Sequence, residues 1–392
     1  MGPQVACLLP EIRDHVLAGE PPDARTAAKR LLPCAEPLLS LATGGSLNRL
    51  PTHQDLLLCR FLARHLDWSA DSCAVAASAA RLVCATGQLN TGRSILQEAR
   101  DRHADADARA LALLSWAEGD LFLAAGLYGE SIEPHEDALE ALEQEPALQL
   151  ILLRRLADSL AIQGRTEAAE GRYRAARSMA RKEDDNLALG AILRGTADLA
   201  VASAEVLSAD ALYDQAKNLL DSHPRARGEQ ANLALGRASL ALSRGQLAQA
   251  ESGLLEAKTH AEKSPLLVAS LQQREGELNL RRGALAAADR LLLQAASKFL
   301  RTGQPAAAAR TQRTLGDVAA IGGHYLAASD FYVRSIADSA RSGDLASALK
   351  TLGHLVALER QGTDEERVRS LEKMQADLLH LAGPALDETT GV

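Results

Sequence analysis

Glycine or alanine recurs in this chain at positions 87, 126, 164, 204, 245, 283 and 323, at intervals of 39, 38, 40, 41, 38 and 40 residues. Other residues keep step with these anchors. Around Gly323 stand Gly316, Ala328 and Tyr332; around Gly283, Gly276, Ala288 and Leu292; around Gly245, Ala238, Ala250 and Leu254; around Ala204, Ala197, Ala209 and Tyr213. Gly164 has Ala157, Ala169 and Tyr173, and one more unit is visible at Leu352-Gly353, with its turn near Gln361-Gly362. A period of this length means one supersecondary unit copied along the chain. Each unit reads as two amphipathic helices, A and B. Glycine at the anchor allows the left-handed backbone that ends helix A and lets helix B turn back. Small residues mark where the two helices cross. A single hairpin cannot bury both faces, so neighbouring units must stack.

Composition supports an all-α reading. Aromatic residues make up only 3% of the 392 positions, whereas Ala, Leu and Arg dominate. Those three favour helix, and strands draw on β-branched and aromatic residues. The formal net charge of −8 is spread along the chain. It leaves no basic stripe of the kind that nucleic-acid binding requires. No apolar run reaches the length of a membrane span, and the first twenty residues lack the basic start and apolar core of a secretory signal. The expected setting is therefore cytoplasmic, with neither nucleic acid nor membrane as partner. The five cysteines, Cys7, Cys34, Cys59, Cys73 and Cys84, are odd in number and widely spaced. They read as buried thiols and not as disulfides or zinc ligands.

No catalytic, cofactor or metal motif emerges. Phosphate-loop, dinucleotide, H-E-x-x-H and G-x-S-x-G patterns are absent. "DRHADADARA" (101–110) lacks the central glycine and closing glutamate of a calcium loop, and reads as a solvated turn. His135, Glu136 and Asp137 are consecutive on a helix B and read as surface residues. The expectation is a non-enzymatic protein.

"LGDVAAIGGHYLAASDFYVRSI" (315–336) resembles a tetratricopeptide repeat, matching the Leu-Gly, Gly-x-Tyr, Ala and Tyr positions, with Ser335 in place of the usual late alanine. "LADSLAIQGRTEAAEGRYRAA" (156–176) resembles it too. The resemblance spans about residues 70–382. The longer period is similar to that of bacterial regulators of the maltose-activator type and of kinesin light chains. It implies an α-solenoid whose A helices line a concave groove. Residues 1–68 read as an N-terminal helical segment or cap, or as degenerate repeats. The repeat array covers 69–362, a capping helix 363–383, and a disordered tail 384–392.

The groove position implied by the resemblance makes one set of residues the candidate site for a partner. Arg154 and Asp158, Arg194 and Asp198, and Arg313 and Asp317 occupy equivalent helix A positions four residues apart; Gln273 with Glu277 and Lys350 with His354 are variants. Residues four apart share a helix face, so the set reads as a solvated mixed-charge ladder. The clamp by which some family members hold a peptide's terminal carboxylate needs Lys and Asn at positions where this chain lacks them. Three functions fit: a scaffold that takes a partner protein or peptide in the groove, a regulatory domain that changes conformation on binding an effector or peptide, and a subunit that docks through its convex face or ends.

Overall fold

The computed structural model describes residues 24–43, 53–67, 69–84, 89–203, 205–221, 223, 226–260, 264–361 and 365–382. Among them are eighteen α-helices, one short 3-10 turn and no strand. Gly87, Ala204 and Gly362 lie outside these residues, as does the expected 384–392 tail.

The chain packs as two compact units. The first holds 1–125 and 130–152, the second 126–129 and 153–392. In the first, α1 (Ala24–Leu39), α2 (His53–His65), α3 (Ser69–Cys84), α4 (Leu89–Arg102), α5 (Ala108–Ala124) and α6 (Ile132–Ala141) surround a continuous apolar core. Helix α3 is its centre, with Ala76, Ala77, Ala79 and Ala80 fully buried. The unit boundary falls within α7 (Pro146–Ile162).

The second unit contains the regular hairpins. They are α8 (Thr166–Lys182), α9 (Asn186–Ala202) with α10 (Val206–Leu220), α11 (Arg227–Ser243) with α12 (Leu247–His260), α13 (Pro265–Arg281) with α14 (Leu285–Arg301), and α15 (Pro305–Ile321) with α16 (Tyr325–Arg341); α17 (Leu345–Glu359) and α18 (Glu365–Ala382) follow. The hairpin turns sit where the anchors put them. Gly323 has φ +76°, its N–H donates to the Ala320 carbonyl, and the His324 N–H reaches back to Ala319. This pair of bonds caps the last carbonyls of α15, and only a residue without Cβ takes the left-handed position at no steric cost. Gly126, Gly164, Gly245 and Gly283 share the conformation.

The crossing positions are as small as the packing demands. Ala169, Ala209, Ala250, Ala288 and Ala328 are each fully buried. Close packing of this kind leaves no room for added methylenes.

Candidate functional site

The A helices of the second unit carry a line of carboxylates, and each aspartate is held by a tyrosine of the following B helix. Tyr173 donates to Asp158 at 2.5 Å, Tyr213 to Asp198 at 2.6 Å and Tyr332 to Asp317 at 2.7 Å. Each tyrosine lies fifteen residues after its aspartate. Where the tyrosine position is leucine, at Leu254 and Leu292, the residue fifteen earlier is Ser239 or Glu277. The pairing is therefore a property of the repeat, used where acid and phenol coincide. Burial and the adjacent carboxylate both push the three phenols above their ordinary range. They stay protonated and donate.

The first unit holds a variant of the same arrangement. His135 occupies the tyrosine position and donates from Nε2 to Asp120 at 3.3 Å. Arg81 donates to the other oxygen of Asp120 at 2.8 Å, and its guanidinium lies 5.0 Å over the Trp116 ring. The surface reading of His135 is thereby corrected: it is fully buried, while Glu136 and Asp137 are exposed. A lone helix position does not reveal burial; the acid fifteen residues earlier does.

The ten ladder residues do not form one uniform row. Arg194 donates to Asp198 at 2.6 Å and to Glu229 at 3.1 Å, and Arg154 reaches the second oxygen of Glu229 at 3.1 Å. Arg154 stands 3.9 Å from Asp158. Glu229, which sequence reasoning missed, thus bridges two repeats. This part of the ladder is packed structure, since the Arg194 and Glu229 side chains are only 14% and 19% exposed. Burial alone would lower the Arg194 pKa and raise that of Glu229, but each opposite charge overcomes it; Arg194 is raised and Glu229 lowered. For Asp198 burial prevails over Arg194 and Tyr213, and its carboxyl is raised. Farther on, Gln273 donates to Glu277 at 3.2 Å, and Arg274 takes the other oxygen at 2.8 Å.

The last four ladder residues behave differently. Asp317 accepts from Tyr332 and also from His354 Nδ1 at 2.8 Å. Among the described residues no ion pair or hydrogen bond engages Arg313 or Lys350. The expected 313/317 pair is absent, with Tyr332 and His354 both on Oδ1 of Asp317, and the 350/354 pair is absent because Lys350 and His354 offer each other no acid.

Arg313, Lys350 and His354 line a cavity of ≈ 620 Å³. One wall is Ile162 and Leu199 with Thr166 and Ser203; the other comes from α15, α17 and α18, through Arg310, Leu349 and Gln375. Both walls belong to the second unit. Elsewhere the polar chemistry is quiet. Among the described residues no group of His, Cys, Asp and Glu is placed to hold a metal. Cys59 and Cys73 are buried free thiols, raised by burial to about 12 and about 11 with Asp55 and Asp107 as the lesser causes. No described helix is long and apolar enough to cross a membrane.

No family model and no curated protein matches the chain. Solved structures do. A Rap protein complexed with competence and sporulation factor superposes with TM-score 0.53 at 17% identity, over 82% of this chain and 95% of that one. The chain has a tetratricopeptide-repeat fold. Two further structures match at lower scores. One is the STAND ATPase with a tetratricopeptide repeat sensor from Pyrococcus horikoshii, at TM-score 0.47 and 14% identity, over 95% of this chain and 55% of that one. The other is the Cut9-Hcn1 hetero-tetramer of APC/C, at 0.46 and 15%, over 77% and 56%. In the tetratricopeptide frame the three Asp–Tyr pairs tie the two helices of one repeat together on the A-helix side.

Proposed function

We propose that this protein is a non-enzymatic interaction module that takes a peptide segment of a partner in the cavity of its second unit. The observation that carries this reading is the cavity itself. Its volume lies in the range of pockets that enclose compact ligands, and it combines apolar side chains, hydroxyls and cations. The Rap protein of similar fold is complexed with a competence and sporulation factor, and a comparable mode of use is proposed for this chain. The proposed setting is the cytoplasm, where the module serves as an adaptor without nucleic acid or membrane. Of the ladder residues, Arg313, Lys350 and His354 face the cavity, while Arg154, Asp158, Arg194, Asp198, Gln273 and Glu277 support the helices around it.

A sensing role is favoured by one detail. The two cavity walls come from helices far apart in sequence, α7 and α9 against α15 and α17. An occupant would bind both, and would stabilise the arrangement in which they face each other.

The test is capture by the full chain followed by sequencing of the bound peptides, with Ala202→Trp and Ala346→Trp filling the cavity from opposite walls. Both variants should lose the captured peptides. Arg334→Glu, on the B helix α16, should keep them. Equal capture by wild type and both filled variants would move the binding site out of the cavity.

A further inference from the structure

We infer that Arg313 and Lys350 form an anion subsite within the cavity, which receives a side-chain carboxylate of an acidic peptide flanked by apolar residues. This rests on the proposed peptide-binding reading and names the ligand chemistry.

Charge accounting around the cavity leads there. Arg310, Arg313 and Lys350 bring three permanent cations to the lining, against the single carboxylate of Asp344. That carboxylate is already committed. It accepts from Arg310 at 3.2 Å and from the Ser347 backbone N–H at 3.0 Å, where it caps α17. Asp317, the other nearby acid, holds Tyr332 and His354 on Oδ1; it attracts Arg313 and Lys350 without forming an ion pair with either. Two cations are left facing the cavity with no carboxylate bonded to them among the described residues.

The equivalent arginines show that this is local. Arg194 is satisfied by Asp198 and Glu229, and Arg154 by Glu229. The fold therefore has a way to neutralise a helix A arginine, and does not use it at Arg313. Burial lowers the pKa of Arg313 and outweighs the attraction of Asp317, with Arg310 adding to the lowering. Lys350 is open to solvent on one side, yet it too is lowered, by desolvation first and then by Arg313. Two like charges held together cost stability; an anion between them removes that cost. A guanidinium offers a planar fork of donors to a carboxylate, and an ammonium adds a point charge beside it.

The opposite wall limits what accompanies the anion. Ile162 and Leu199 present apolar surface, and Thr166 and Ser203 offer hydroxyls suited to a backbone amide or carbonyl. This combination fits an acidic residue between apolar neighbours. A bare inorganic anion would fill only the cationic end.

The test uses the full chain and two fluorescent libraries of acetylated, amidated heptapeptides, with Glu or Gln fixed at the centre and apolar residues on either side. The Glu library should bind, the Gln library roughly tenfold more weakly, and added salt should weaken the difference. Arg313→Gln and Lys350→Gln should each remove most of the preference, and Arg313→Lys should restore part of it. Lys350→Gln, at an exposed position, keeps the test independent of folding. Equal binding of both libraries, blocked by Ala202→Trp, would overturn the anion subsite and leave the cavity reading standing. Binding of neither library would overturn the subsite. So would displacement of the Glu library by millimolar inorganic phosphate as effectively as by free Glu peptide, because the site would then read charge alone.

Discussion

The Tyr213 hydroxyl donates to Asp198 at 2.6 Å and lies directly beneath Gly236 of the next repeat. A Cβ at 236 would stand 2.7 Å from both the hydroxyl and the aspartate oxygen. Tyr173 holds the same position under Gly195. The phenol thus joins its own repeat through the hydrogen bond and seats the following one through the missing side chain.

Gly236→Ala should therefore separate α11 from α10, at a cost of about 1–3 kcal/mol by overpacking. The drop will appear as a lower urea midpoint. Gly228→Ala, on the same helix with nothing within 4 Å of a new Cβ, is the control and should leave the midpoint unchanged or raise it. Equal behaviour of the two would show that the tyrosine yields freely.

Glu229 gives a pH signature. Burial opposes its charge, but Arg154 and Arg194 overcome burial and hold its carboxyl below the usual glutamate range. A carboxylate lowered on folding adds stability above its unfolded pKa, and that stability disappears as pH falls through the folded value. Glu229→Gln should cost about 2 kcal/mol at pH 7, the size of charge-assisted hydrogen bonds lost. The gap to wild type should close below about pH 4. Asp198, raised by burial, has the opposite sign: its ionisation costs stability above the unfolded pKa, and Asp198→Asn should be milder at pH 7 than Glu229→Gln. Parallel midpoint curves for Glu229→Gln and wild type from pH 7 to 3 would contradict the bridge.

Tyr332 competes with Arg313 for Asp317 without lining the cavity. Tyr332 and His354 share Oδ1 of Asp317; Tyr332→Phe should leave that oxygen with His354 alone and strengthen the pull of the carboxylate on Arg313, four residues earlier on the same helix. Affinity for the central-Glu library should then fall several-fold while the Gln library is unaffected. Fluorescence titration reads both. An unchanged Glu affinity would mean that Asp317 does not draw Arg313 away.

The architecture was legible because it repeats. Gly323 alone is a weak turn signal, but Gly126, Gly164, Gly245, Gly283 and Gly323 in register fix both helix ends and the faces that cross, and each has positive φ. Ala169 and Ala328 followed from the same register. The site was legible only in part. Helical spacing brought Arg194 to Asp198 correctly, but it carries no information about helices in other repeats. Glu229 sits thirty-five residues from Arg194, at a position with no partner in its own helix, so its bridge appears only when repeats stack. The fifteen-residue spacing from Asp158, Asp198 and Asp317 to their tyrosines was present in the sequence, as was Asp120 to His135. Helical periodicity points first to the neighbour four residues away on the same helix, and a spacing that crosses a turn has no such periodic signal. Arg194 and Arg313 likewise share a register position and not an environment.

These two arginines give the decisive contrast. Arg194 lies between Asp198 and Glu229. Its removal takes the cation from Asp198 and leaves the largely buried Glu229 with Arg154 alone, and Arg194→Gln should cost about 3 kcal/mol, the order of a broken, largely buried ion pair. Arg313 has no ion pair to lose among the described residues, and burial, aided by Arg310, disfavours its charge more than Asp317 favours it. Arg313→Gln should shift stability by only about 0–1 kcal/mol, with an increase as the favoured direction. Binding should show the reverse order: Arg313→Gln loses the preference for Glu over Gln peptides, and Arg194→Gln, assayed well below its melting temperature, keeps it. Thermal melts and peptide titrations on the same two proteins read both halves. If Arg313→Gln melts as early as Arg194→Gln, then Arg313 is a structural cation with a counter-charge in the folded state, and it is not held in reserve for a ligand.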